Sequence, residues 1–539
     1  MRDDSGPAVL VLGLDAACER ILDPLVEAGV VPNLAALLAD GVAGPLDSQI
    51  PPWTPSAWPS LFTGVNPGKH GVYGFLAFEG DDYRVVDYTD VRAHSLWELL
   101  DVHDRTSVVV NVPVTCPPRP IDGAVLPGYT APEDPDCHPP GLLDDVRDAI
   151  GEYRVYAPET DGRDEAVDAS QSLVRMRGEA FRYLCDRFEP DFGFVQFQQT
   201  DTVFHERPDD DDAIEAVYAA VDEQVGAILD AYDPELVAVV SDHGMGPMDG
   251  YEFRVNDFLR DRDYLTATRG GEMPSFSSVA DTQLKDGSPG ETAETTTVER
   301  AFGLLARAGI TSQRLDRALS ALGLREFALR VAPAGIVQAA AEQPDFETSH
   351  AYMRDRVACG IRLNVAGRDP NGVVSPEAYD RIRDDLIARL ENVETPDGDP
   401  VFESVVPREQ VYHGPHVEAA PDILTVPKAF DELLTTSLRG EQFGPVPEPY
   451  NHKFEGLVAM AGPAVDTDAS LSGATLFDIA PTVLSALGVP RSERFDGHPL
   501  AVVETTAETT YPTYTVSDTD GTDAGKAVEQ RLADLGYVE

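Results

Sequence analysis

The feature that most constrains this chain is a set of short apolar runs, each stopped by aspartate or histidine. V-L-V-L-G-L at 9–14 runs into Asp15, F-G-F-V-Q-F at 192–197 is followed by Asp201 and His205, and L-V-A-V-V-S at 236–241 ends at Asp242 and His243. A run that is apolar at every position is buried on both faces, as strands of a parallel sheet are. S-V-V-V-N-V-P at 107–113 is a further strand, and helical patterns lie at about 20–40, 164–188 and 211–231. Strands alternating with helices predict an α/β fold with a mostly parallel sheet covered on both faces. In such a sheet the carboxyl ends of the strands line one crevice, where ligands bind.

The crevice therefore collects Asp15, Asp201, His205, Asp242 and His243. Mixed carboxylate and imidazole donors suit zinc or a similar divalent ion. Each part also has a plainer reading. Asp15 can cap the next helix, D-H-G at 242–244 can be a turn, and Asp201 and His205 can be a surface pair on one helical face. The joint pattern is much less expected by chance than any one part.

The pattern changes after residue 250. Residues 268–300, rich in Gly, Ser, Thr and Glu, read as a loop, and 299–342 as helices rich in Ala, Leu and Arg. Strand and helix signals return at 351–426. The expected organisation is a first core part at 1–250, an insertion or cap with partial return to the core at 251–440, a C-terminal core part at 441–502, and a polar arm with a terminal helix at 503–539. No internal repeat is evident.

With 94 acidic and 41 basic residues, the formal charge is −53, and only five basic residues are lysine. Such a chain repels nucleic acid and anionic membranes. Regular apolar periodicity argues against disorder. Abundant carboxylates and scarce lysine fit a surface kept soluble at high salt, where the Debye length falls to roughly 3 Å at 1 M. The composition resembles that of haloarchaeal proteins and predicts a halophilic, cytoplasmic protein. No run of 18 apolar residues occurs, so no membrane span is expected, nor is a secretory signal. Five scattered cysteines without a C-x-x-C pair read as reduced thiols.

Thr54 lies in P-P-W-T-P-S-A-W-P-S-L-F-T-G. Thr followed by Pro reads as a helix N-cap and a first-turn proline. The same position would gain from the helix dipole and free backbone N–H groups, where a phosphate can dock.

Together these stretches resemble the type I phosphodiesterase/nucleotide pyrophosphatase branch of the alkaline phosphatase superfamily. The carriers are G-L-D-A-A at 13–17, T-P-S-A-W-P-S-L-F-T-G-V-N-P-G-K-H-G at 54–71, Q-Q-T-D-T-V-F-H at 198–205 and S-D-H-G-M at 241–245. P-D-I-L at 421–424, N-H-K-F-E-G at 451–456 and L-F-D-I-A-P-T-V-L-S-A-L-G at 476–488 continue the set, and R-L-A-D-L-G-Y closes it. The resemblance is weakest across 250–345. It implies a three-layer α/β/α sandwich with an inserted cap and a site of two divalent metals, usually zinc, with manganese or magnesium as alternatives. One metal would be held by Asp15, Thr54, Asp242 and His243, the other by Asp201, His205 and His452. Thr54, nine positions before Thr63 as in the family, would be the catalytic nucleophile. A small-molecule phosphate ester, diester or monoester, would be hydrolysed through a covalent phosphothreonine.

Two departures stand out. Nucleotide pyrophosphatases carry Asn three residues after the nucleophile, where this chain has Ala57, and Pro55 removes a backbone N–H. Phosphate contacts are then expected from the Ser56 N–H, the metals or another side chain, and a nucleotide substrate is put in doubt. Lys69, Arg254 and Arg354 are candidate phosphate contacts, with structural roles as the plainer reading. His70 is expected to support its turn, Asp478 to be structural, and His413 and His416 to lie near the cap edge. A phosphomutase, or a metal-binding protein without turnover, are the rival functions. A phosphomutase would be favoured by a basic cap, and Arg300, Arg307, Arg314, Arg317, Arg325 and Arg330 are spaced as on helix surfaces. A sulfatase is disfavoured, because the C/S-x-P-x-R motif is absent.

Overall fold

The computed structural model describes residues 6–80, 82–158, 160, 162–269 and 342–515. Most of the expected loop at 268–300, the helices expected at 299–342 with their six arginines, and the terminal helix lie outside the described residues.

A seven-stranded sheet forms the core. Its strands are β1 (Val9–Leu14), β2 (Val42–Asp47), β3 (Ser107–Val110), β4 (Gly123–Leu126), β5 (Phe192–Phe197), β6 (Leu236–Val240) and β7 (Glu455–Ala461), in the spatial order β2-β7-β6-β1-β5-β3-β4. β1 pairs parallel with β5 and β6, and β3 pairs parallel with β4 and β5. Only β7 runs against its neighbours, β2 and β6.

Every residue of β1 is buried, and alternation along the strand divides its side chains between two hydrophobic layers. Leu10, Leu12 and Leu14 meet helices α2 (Arg163–Phe188) and α4 (Asp211–Ala231) on one face. Val9 and Val11 meet α1 (Thr54–Thr63) and α6 (Ile479–Ala486) on the other. The result is the expected α/β/α sandwich. A separate hydrophobic cluster joins Phe253, Phe258, Ile361, Leu363, Leu386 and Phe402. It lies between a four-stranded antiparallel sheet drawn from residues 351–427 and helix α5 (Pro376–Leu390).

Two local expectations change. The helical pattern at 20–40 is two helices, Glu19–Glu27 and Pro32–Asp40, at 111° to each other. Gly29 adopts φ 73°, and Pro32 starts the second helix, so the first ends where a left-handed residue and a missing N–H stop it. Thr54 is the first residue of α1 rather than its cap. Trp53 holds the extended cap conformation (φ −128°, ψ 139°), and no side chain caps this end.

Candidate active site

Five pieces of the chain meet at the carboxyl ends of β1, β5 and β6. Asp15 directly follows β1. Asp201 and His205 lie one turn apart on α3 (Gln199–Glu206), which begins two residues beyond β5. Asp242 and His243 follow β6. His452 arrives from far along the chain on the short strand Tyr450–Lys453, which pairs antiparallel with Gly244–Pro247 so that His452 faces Met245 in register. That pairing stacks the His452 ring on His243, with centroids 3.7 Å apart and planes at 19°. Thr54 reaches the same place from the first turn of α1.

The side chains fall into two groups. In the first, His243 Nε2 lies 3.6 Å from Asp15 Oδ1, 3.2 Å from Asp242 Oδ2 and 3.4 Å from Thr54 Oγ1. In the second, Asp201 Oδ1 is 3.3 Å from Nε2 of both His205 and His452, and those two nitrogens are 3.1 Å apart. The donor atoms of each triad, Asp15/Asp242/His243 and Asp201/His205/His452, lie within 4.8 Å of one another. All are buried except His205, whose side chain is 33% exposed. The second group therefore opens to solvent.

These groups fit divalent cations on a physical test. Asp15 Oδ1, Asp201 Oδ1 and Asp242 Oδ2 are buried with no hydrogen-bond partner among the described residues. A buried, unpartnered carboxylate oxygen costs several kcal/mol or forces neutralisation, and a cation ligated there removes that cost. The histidines are oriented for the same role. Nδ1 of His243 faces the Gly244 carbonyl at 3.1 Å, and Nδ1 of His452 faces the Pro52 carbonyl at 3.2 Å. An Nδ1–H donated to either carbonyl leaves Nε2 as the free donor atom.

Charge among these side chains is correspondingly strained. Burial, then Asp242 and Asp201, pushes the Asp15 carboxyl well above its usual range. Burial and Asp201 do the same to Asp242. Burial also pushes Asp201 up, but His205 and His452 outweigh it and hold that carboxyl well below its usual value. Asp201 in turn raises His205 to about 9, while burial and His243 lower His452 to about 3.

The supporting contacts were not legible in the sequence reading. Asp15 Oδ2 accepts hydrogen bonds from Trp58 Nε1 at 2.9 Å and Gln196 Nε2 at 2.8 Å. Asn111 Nδ2 then donates to Gln196 Oε1 at 2.8 Å. Trp58 lies four residues after Thr54 and so on the same face of α1, the one spacing from which it could have been found. Gly13 is required beside it, because a Cβ there would lie 2.8 Å from the Trp58 ring.

A cavity of about 560 Å³ opens in front of Thr54, lined by Trp53, Phe75, Tyr129, Gln198, Thr202 and Asn451 among others. The expected Ser56 N–H contact is not free, since it donates to the Trp53 carbonyl at 3.0 Å, and Ser56 Oγ donates to the Val72 carbonyl. Arg254 is held by Glu252 and by the carbonyls of Glu441 and Phe443. Lys69 is bound to Asp496 and the Arg494 carbonyl. His70 supports its turn, taking the Val72 N–H on Nδ1 at 3.2 Å, with Ser60 Oγ at 2.9 Å from Nε2. Asp478 caps Thr475 and accepts from the His498 N–H. His413 pairs with Asp496, and neither it nor His416 lines the cavity at Thr54.

Residues 9–303, more than half of the chain, match the family model described as type I phosphodiesterase/nucleotide pyrophosphatase. No curated protein matches the sequence. Among solved structures, the chain is similar to phosphonoacetate hydrolase from Sinorhizobium meliloti 1021 in complex with phosphonoformate, with TM-score 0.51, 16% identity, and 88% of this chain and 94% of that one covered. It is also similar to the alkaline phosphatase PafA, with TM-score 0.51, 14% identity, and 93% and 99% covered. These likenesses establish the fold.

Proposed function

The chain belongs to the type I phosphodiesterase/nucleotide pyrophosphatase family, phosphoric ester hydrolases of the alkaline phosphatase superfamily, and from that premise we propose that it hydrolyses a small-molecule phosphate ester through Thr54. The observation that carries this reading is the set of three buried, unpartnered carboxylate oxygens beside Thr54 Oγ1 and three imidazoles. Asp15, Thr54, Asp242 and His243 would hold one divalent ion, and Asp201, His205 and His452 the other. Zinc suits this donor set best, with manganese or magnesium as alternatives. When bound, the ions lower the pKa of a ligating hydroxyl and offset charge on the phosphoryl oxygens.

The residues themselves position the reaction. Thr54 Oγ1, fixed at the start of a buried helix, attacks phosphorus in line. The P–O bond to the departing alcohol breaks as the bond to Oγ1 forms; the Oγ1 proton passes to solvent, and the alcohol leaves with a proton taken from solvent. Water entering on the exposed His205 side attacks the phosphothreonine, passes a proton to Oγ1 to restore the hydroxyl, and releases phosphate from a monoester or a phosphate monoester from a diester. Trp58 and Gln196 hold Asp15 throughout. The aromatic walls formed by Trp53, Phe75 and Tyr129 favour an apolar or ring-bearing group next to the phosphate.

The separate hydrophobic cluster of 253–434 supports reading 251–440 as a cap beside the core parts 1–250 and 441–502, with 503–539 as an arm. The acidic, lysine-poor composition supports a high-salt cytoplasm as the working environment. No single described helix is long and apolar enough to cross a membrane.

The test is hydrolysis of bis-p-nitrophenyl phosphate and p-nitrophenyl phosphate in concentrated KCl with Zn²⁺ or Mn²⁺, wild type beside Thr54→Ala. Metal-dependent turnover lost in the variant supports the reading, and the preferred compound separates diesterase from monoesterase. Equal turnover by the two proteins overturns Thr54 as nucleophile.

A further inference from the structure

A second cavity, of about 190 Å³, shares Asp355 with the cavity in front of Thr54. It is lined by Arg92, Arg354, Arg362 and His416. Arg92 comes from the core, and Arg354 and Arg362 from the region of the antiparallel sheet.

Carboxylates outnumber cations more than two to one in this chain, so a guanidinium without one is conspicuous. Arg354 lies 3.7 Å above the Phe78 ring and makes no hydrogen bond or ion pair with any described residue. Burial and the neighbouring Arg362 charge lower it to about 10, which marks two cations placed side by side. Arg362 reaches Asp369 Oδ1 through Nε at 2.8 Å and Nη2 at 2.6 Å, yet its buried Nη1 has no partner among the described residues. The Arg92 side chain is likewise unpaired among the described residues. Burial and the Arg92 charge lower the pKa of His416.

The acidic groups facing the cavity do not offset these cations. Asp90 is taken by Arg84, with two bonds of 2.8 Å. Asp355 accepts the Val357 N–H on Oδ1 at 3.0 Å, and burial raises its pKa. Two whole guanidinium groups and one free N–H edge therefore face a single uncommitted carboxylate. Guanidinium forks match the oxygen geometry of phosphate. The cavity has room for about six waters at the roughly 30 Å³ each takes in the liquid, enough for such a group.

We propose that this cavity is an anion subsite that binds a second phosphate on the substrate, carried by a short linker from the phosphate ester that Thr54 attacks. The inference rests on the phosphohydrolase reading of the site, and it narrows the substrate class to bisphosphorylated compounds.

The test uses alkanediol bisphosphates and the matching monophosphates, with linkers of increasing length, and the full chain loaded with divalent metal. Phosphate release gives kcat/KM for each. The expected result is a preference for the bisphosphate of at least tenfold at one linker length. In Arg354→Met, which keeps an aliphatic stem on Phe78, that ratio collapses towards one, and Arg354→Lys partly restores it. A purely structural role for Arg354 lowers both substrates in proportion and leaves the ratio unchanged, which overturns the proposal, as does a wild type with no preference.

A second measurement is independent of turnover. Titration calorimetry of Thr54→Ala with alkane bisphosphonates and monophosphonates is expected to show tighter bisphosphonate binding that Arg354→Met, introduced into the same chain, abolishes. Equal binding of the two ligands overturns the subsite. Arg354-dependent binding without Thr54-dependent hydrolysis leaves the subsite standing and removes the catalytic reading. Hydrolysis without an Arg354 effect does the reverse.

Discussion

The rings of His243 and His452 stack at 3.7 Å although 209 positions separate them in sequence. Each belongs to a different candidate metal group, so this contact is where the two halves of the proposed site touch. It fixes the distance between them through ring packing, before any ion is considered.

Thr54→Ala should lower hydrolysis of p-nitrophenyl esters by a thousandfold or more, since the remaining groups bind but cannot form the covalent intermediate. Thr54→Ser should retain measurable turnover, because it keeps the hydroxyl at the start of α1. Steady-state kinetics with far-ultraviolet circular dichroism as a folding control decides it.

Trp58→Phe removes only the Nε1–H that Asp15 Oδ2 accepts at 2.9 Å, while an aromatic ring stays packed in the core. Loss of a contact that orients a metal ligand costs about 10–100-fold in metal affinity or activity. Competition for zinc against a chelating dye should show a loss of that size. Unchanged affinity would mean that Gln196 alone is enough to hold Asp15.

Stability of the metal-free chain should rise when one buried charge is removed. Burial and Asp201 raise the Asp242 carboxyl well above its usual value, so its charged form opposes folding at neutral pH. Asp242→Asn should stabilise the chelator-treated protein and abolish the stabilisation that added zinc gives the wild type. Calorimetric melts with and without chelator test both halves. A lower melting temperature for the variant in chelator would contradict the strain described for this site.

His70 provides a pH test away from the metal ligands. Burial lowers its pKa from 6.5 to about 3, so the folded chain keeps it neutral where the unfolded chain takes up a proton. Its contribution is full above pH 6.5 and is lost progressively as pH falls towards 3. Between pH 7 and pH 5 the wild type should lose about 2 kcal/mol more than His70→Gln. Denaturant melts across that range measure the difference, and parallel slopes for the two proteins would refute it.

The strand-end aspartates and histidines were legible because each follows an apolar run whose burial could be read from composition alone. Asp15, Asp242 and His243 needed nothing more. His452 was reached only through resemblance, since the strand pairing that brings it to His243 leaves no periodic signal in four residues. The split at Gly29 was hidden by apolar periodicity on both sides of the break. The N–H of Ser56 was misjudged because whether a first-turn amide is free depends on the conformation of Trp53. Arg354 was read as a candidate phosphate contact, but the cavity it lines was not legible, as Arg92 and Arg354 stand more than 250 residues apart.

The antiparallel strand β7 has a consequence for synthesis of the chain on the ribosome. Until residues 455–461 emerge, β6 has no neighbour on the side that β7 later fills, and β2 has no partner in this sheet. His452 is still missing at that stage. The nascent chain thus carries an open sheet edge, a known hazard for association. It also lacks one member of the proposed second metal group, so the same late segment that closes the sheet completes the proposed site.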